Sequence, residues 1–173
     1  CKYAESSSRY FDWIRGRSAL KKVFEHLNKS IDVTKISFPD QCFSISHTKD
    51  CAVAIGVLDS VESSNGVGID LELSRKVDAK HTRYYLSKYE SDLVNSNDDL
   101  LRLWTVKEAL FKADPSNDGG VLKNYNVKNP KTLKGEAINK KGDIFYYNSI
   151  KNPVDKFLDK KCGGWMTWAI NHS

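Results

Sequence analysis

Apolar positions change their spacing several times along the chain, and each spacing predicts a different element. Leu20, Val23, Phe24 and Leu27 recur at i, i+3, i+4 and i+7, which predicts a helix over 17–28 with one apolar face. From Phe43 to Leu58, β-branched and small apolar residues flank a polar SHTKD patch. That pattern predicts two short strands joined by a turn at Thr48–Asp50. Ser63-Ser64-Asn65-Gly66 is turn chemistry, and Val67-Gly68-Ile69-Asp70-Leu71-Glu72 then reads as a strand. Residues 79–95 and 98–113 carry helical spacing. Asn97 is the expected N-cap of the second, with Asp98 and Asp99 in its first turn, where acids complement the helix dipole. Pro115, Gly119 and Gly120 then stop it. Beyond them, Phe145-Tyr146-Tyr147 and Trp165 to Ile170 predict short strands between Lys- and Asn-rich loops. No repeat, low-complexity segment or long linker interrupts the pattern, so the expected fold class is α+β in one unit.

Composition narrows the picture. A chain of 173 residues suits one compact domain and is short for two. With 40% hydrophobic and 28% charged residues, it is neither disordered nor collagen-like. No apolar run approaches the roughly 20 residues needed to cross a bilayer, so no membrane partner is expected. Cys1, Cys42, Cys51 and Cys162 form no CxxC pair and open no metal-ligand cluster. Without a secretory h-region, they read as thiols of a reducing compartment, and the expected location is cytoplasmic. The chain opens at Cys1 rather than Met, as a processed or trimmed N-terminus would.

The formal net charge of +5 is unevenly spread. Seven bases face three acids between Arg9 and Lys35, whereas seven acids face five bases between Asp70 and Asp99. A basic flank beside an acidic centre suits a phosphorylated small molecule bound with a metal. The bases are interleaved with acids, and no zinc-finger, helix-turn-helix or RNP-like pattern occurs, so nucleic acid is not an expected partner.

Three places carry candidate chemistry. Asp70 and Glu72 stand at i and i+2 of a strand, which puts both carboxylates on one face. Such a pair is commonly two solvated acids. Held close, the two repel each other, and a hard divalent cation such as Mg²⁺ relieves the repulsion through oxygen ligands. Glu108 and Lys112 stand at i and i+4 of a helix; taken alone they form a surface pair worth a few tenths of a kcal/mol. The alternative is that Glu108 completes the metal site while Lys112 faces phosphate. Ser46 and His47 are neighbours on a strand and point to opposite faces, so they are no nucleophile–base dyad. A histidine donating to a phosphate is the better functional idea for His47.

In order along the chain, these pieces resemble the 4′-phosphopantetheinyl transferase family. Its G-(I/V)-D-x-E strand is Gly68 to Glu72, and its W-x-x-K-E-(A/S)-x-x-K helix is Trp104 to Lys112. The SISHT segment resembles a third motif, that of the larger, monomeric type that activates surfactin and enterobactin synthetases. Arg15-Gly16-Arg17-Ser18-Ala19 is similar to the family's G-R-x-A segment, and Tyr85 to Glu90 to its F-x-S-x-x-E segment. The resemblance spans about 9–125 and weakens after Asp114.

The resemblance implies two similar α+β halves, roughly 1–66 and 67–173, related by a pseudo-two-fold in a monomer. It implies transfer of 4′-phosphopantetheine from coenzyme A to a serine of an apo acyl or peptidyl carrier protein, releasing 3′,5′-ADP. The ligands of Mg²⁺, with Mn²⁺ as the substitute, would be Asp70, Glu72 and Glu108. Lys112 would meet the phosphates and the leaving group. Glu108 or Glu90 would take the serine proton, and the sequence does not choose between them. Ser46 and His47 would hold the 3′-phosphate or pyrophosphate, and Arg17 and Lys35 the phosphoadenosine end. Fewer residues precede the Gly-Arg segment than is usual for this type, which implies an N-terminal strand missing or supplied differently. The competing expectation is a CoA- or nucleotide-binding module of the same fold without transfer.

Overall fold

A computed structural model describes residues 7–57, 66–117, 119–153 and 163–172. The first helix, α1 (Ser8–His26), is capped by Ser7, whose hydroxyl accepts from the Tyr10 amide at 3.2 Å. It starts well before residue 17. Phe11 and Ile14 are exposed and Gly16 interrupts the stripe, so the apolar periodicity hides this first half. Leu20 and Phe24 of α1 lie over an antiparallel hairpin of β1 (Phe43–His47) and β2 (Ala52–Gly56), as expected from the SHTKD patch. The Phe24 and Phe43 rings sit 4.7 Å apart in a small core with Val33 and Ile45.

The second sheet holds β3 (Val67–Leu73), β4 (Asn126–Val127), β5 (Lys134–Ile138), β6 (Ile144–Lys151) and β7 (Gly164–His172). Its order is β3-β7-β6-β5-β4, antiparallel throughout, with Asp70 opposite Thr167 and Glu72 opposite Trp165. At 8 and 9 residues, β6 and β7 are longer than the short strands their composition predicts. The helix expected over 79–95 is two, α2 (Ala79–Thr82) and α3 (Lys88–Leu93). Tyr85 and Leu86 turn into the core between them, and Ser87 restarts the helix in a reciprocal capping box with Glu90.

The long helix α4 (Asn97–Ala113) is capped by Ser96, not Asn97. The Asn97 side chain is occupied elsewhere: it accepts from the Val77 amide at 2.7 Å and donates to the Arg75 carbonyl at 2.9 Å. Buried on most sides, α4 packs on β3 and β7 around Leu103, Val106 and Leu110. Among the described residues, the strands thus form two sheets in an α+β fold, one of two strands and one of five. The Ser63–Asn65 turn, Cys1 and Cys162 lie outside the described residues. Among the described residues, no disulfide joins Cys42 and Cys51, and no helix is long and apolar enough to cross a membrane.

The two sheets meet along β1 and β3 without merging. Ser44 and Ser46 point from β1 at the edge of β3, where their hydroxyls accept from the amides of Ile69 (3.1 Å) and Leu71 (3.2 Å). Side-chain oxygens take the place of the carbonyls that a continuous ladder would supply.

Candidate functional site

Gly68 fixes the distance between β3 and α4. A Cβ at this position would run into the Ala109 carbonyl oxygen and come within 2.7 Å of the Ala113 nitrogen, so helix backbone rests directly on the strand. That contact brings the acidic strand and the Glu108–Lys112 turn of α4 together.

Lys112 does not spend its charge on Glu108. Its ammonium donates to Asp70 Oδ1 at 2.7 Å and to the Ile69 carbonyl at 3.0 Å. Asp70 Oδ1 also accepts from the Ser46 hydroxyl at 2.9 Å. The other oxygen, Oδ2, is buried without a hydrogen-bond partner. Glu108 is half-buried, and its carboxyl sits above the usual carboxylate range. Burial is the main cause, the charge of Asp70 adds to it, Lys112 opposes it, and Glu72 adds a little. Glu72 is turned away, accepting from Arg75 Nε at 3.1 Å and from the Arg75 terminal nitrogen at 3.2 Å. Among the described residues, no three His, Cys, Asp or Glu side chains surround one point as they stand. Two of the three expected carboxylates nevertheless have the chemistry a hard cation needs. Asp70 offers an orphaned buried oxygen, and Glu108 carries a charge that its surroundings disfavour. Glu72 fits only when Arg75 releases it.

The remaining expected residues separate. His47 is exposed, its Nδ1 3.9 Å from Asp12 Oδ1, and lines a groove with Arg9, Trp13 and Arg17. Arg17 lies over the Trp13 and Phe38 rings at 5.6 and 5.1 Å and donates to the Val33 carbonyl at 2.7 Å, with its Nε buried and unpartnered. Burial lowers its pKa from the ordinary guanidinium value. The structure therefore brings His47 and Arg17 together. Lys35 stays out: its side chain is 84% exposed and only approaches Asp32, at 3.8 Å. Ser46, expected as a phosphate ligand, has its buried hydroxyl engaged with Asp70 and with the Leu71 amide. Glu90, one of the two expected proton acceptors, lies in the interior. It is fully buried and accepts from Lys107 at 2.7 and 2.8 Å, from the Ser87 amide at 2.7 Å and from the Val127 amide at 2.9 Å.

Sequence reasoning missed Lys107 and Arg75. Lys107 also donates to the Tyr125 carbonyl. The Ser87-x-x-Glu90 capping signature would have placed Glu90 at a helix start, facing its own backbone. No local signal marks Arg75 as the partner of Glu72.

A cavity of about 540 Å³ opens beside Lys112, walled by Phe38, Phe43, Phe111 and Pro115. The geometry thus offers a carboxylate, Asp70, held by the Lys112 ammonium, a second, Glu108, one helical turn from that lysine, and a roomy cleft that Lys112 lines. Curated proteins provide no match to the chain. A family model does match, over residues 66–154, which hold the Asp70 strand and the whole of α4. With half of the chain matched and both signature segments inside that stretch, the protein belongs to the 4′-phosphopantetheinyl transferase superfamily and is in general terms a phosphopantetheine transferase.

Proposed function

We propose that the protein transfers 4′-phosphopantetheine from coenzyme A to a serine of an apo acyl or peptidyl carrier protein, as a monomer of the larger type. In this reading the two halves, 1–66 and 67–173, act together about a pseudo-two-fold, with the donor across the seam between them. The observation that carries it is the Asp70–Lys112 contact, with one carboxylate oxygen left over, beside a Glu108 whose charge is disfavoured. Asp70 and Glu108 would hold Mg²⁺ or Mn²⁺, with Glu72 joining once Arg75 lets it go. When bound, the cation neutralises charge on the phosphates.

The chain's own groups do the rest. His47 and Arg17, which share a groove, grip the phosphoadenosine end of coenzyme A. Lys112 turns its ammonium toward the pyrophosphate and stabilises or protonates the departing 3′,5′-ADP. The carrier serine oxygen attacks the phosphorus that bears the pantetheine, the bond to 3′,5′-ADP breaks, and the serine proton passes to Glu108 directly or through water. Tyr84 and Tyr89 are exposed on and between α2 and α3 among Lys80, Arg83 and Lys88, a surface suited to an acidic partner protein.

The test mixes the protein with coenzyme A, Mg²⁺ and an apo carrier protein and weighs the carrier by mass spectrometry. The expected result is a gain of one phosphopantetheine that a chelator prevents. Coenzyme A binding with no mass gain on any carrier would instead favour a nucleotide-binding module.

A further inference from the structure

We infer that Ser46 is a positioning residue that orients the Asp70 carboxylate and thereby selects Oδ2 as the oxygen offered to a cation. The inference rests on the transferase reading above and deepens its metal site. A hydroxyl has one proton to give. Ser46 gives it to Asp70 Oδ1 at 2.9 Å and accepts the Leu71 amide at 3.2 Å, so it is anchored from the strand that carries Asp70. Lys112 donates to the same Oδ1 at 2.7 Å. A carboxylate held twice through one oxygen cannot turn over without breaking both bonds. The buried Oδ2 is then the atom with unspent capacity before any ligand arrives.

The fold supplies its own control. Ser44, two residues earlier on the same face of β1, is buried and makes the same stitch, accepting from the Ile69 amide at 3.1 Å. No hydrogen bond joins it to Asp70.

The experiment titrates Mn²⁺ into the CoA-free protein and follows the free ion by its electron paramagnetic resonance signal. Melting curves and the binding of adenosine 3′,5′-bisphosphate in chelator are measured alongside. Ser46→Ala should weaken Mn²⁺ binding about tenfold or more, the usual scale for a lost outer-shell partner. Ser44→Ala should lower the melting temperature but leave Mn²⁺ affinity within about twofold, and Ser46→Thr, which keeps the hydroxyl, should restore it. Bisphosphate binding in chelator should not change with Ser46→Ala. Should that variant not fold, Ser46→Cys carries the same expectations, since a thiol is a weak donor. Equal loss of Mn²⁺ affinity in the Ser44 and Ser46 variants overturns the inference, as does a loss confined to bisphosphate binding. Failure of the wild type to bind Mn²⁺ removes the metal reading itself, whereas normal binding in Ser46→Ala removes only the role of Ser46.

Discussion

Lys107 and Lys112, both on α4, each meet a carboxylate, and the two pairs differ in what they leave unspent. Lys107 and Glu90 are both 0% exposed, and both Glu90 oxygens are taken by the ammonium and two backbone amides. Burying two charges costs several kcal/mol, and only such complete pairing offsets it. Burial also pushes the Lys107 pKa below its usual value, with Glu90 opposing. Lys112, which lines the cleft, and its partner Asp70 are 28% and 9% exposed, with one carboxylate oxygen unclaimed. A saturated pair has nothing to offer a ligand and ties α3 to α4. The unsaturated one is where chemistry has room to enter.

The largest effect should come from emptying the unsaturated site. Asp70→Ala and Glu108→Ala should each lower carrier modification on the order of a thousandfold or more, with the circular dichroism of the folded protein kept. Rapid turnover in either variant at saturating Mg²⁺ would refute the assignment. In the saturated pair the loss should fall on folding. Glu90→Ala should cost about 3–5 kcal/mol in urea unfolding, because it strands a buried ammonium. Adding Lys107→Met to Glu90→Leu should recover part of this, not all, since the Ser87 and Val127 amides still lose their acceptor.

Lys112→Ala sharpens the contrast from the other side. If Lys112 acts on the leaving group, kcat should fall roughly 10–100-fold with a smaller change in coenzyme A affinity, and Lys112→Arg should rescue in part. Steady-state kinetics decides it: a kcat near wild type for the alanine variant returns Lys112 to a surface role.

The smallest effect tests whether saturation is a general marker of architecture. Asp114 accepts from Ser116, Tyr125 and Asn139. Burial alone would raise its pKa, but these bonds together hold it below the ordinary value of 3.8. A depressed carboxylate stabilises the fold above its unfolded pKa and loses that contribution as pH falls through the folded one. Asp114→Asn should therefore cost about 1–2 kcal/mol at pH 7, and less as the medium is acidified below the ordinary aspartate range. Chemical denaturation at a series of pH values reads the convergence.

Local patterns made β1, β2, β3 and α4 legible, because alternation and helical spacing are written within a few residues of each other. The acidic strand and the Glu108–Lys112 turn were legible for the same reason. What escaped depends on reach across the chain. Helical spacing makes Lys112 a neighbour of Glu108, yet its long side chain crosses to Asp70 on another element. Arg102, Lys107 and Glu90 carry charge but are buried, each satisfied by groups distant in sequence, which no local pattern announces. Residues 8–16 form a helix that their apolar spacing conceals, and Tyr85-Leu86 split an expected helix by turning inward.

Gly68 takes no part in the chemistry, yet it sets the gauge of the cleft. Because the Ala109 carbonyl occupies the place a side chain would need, even one methyl group would lever α4 off the strand. Glu108 and Lys112 would move with the helix while Asp70 stayed with the sheet. A displacement of about 1 Å is enough to cost on the order of a hundredfold in a positioned reaction. The absent side chain thus works as a spacer of zero thickness, and an alanine there would leave every acid and base in the chain but no longer within reach of one another.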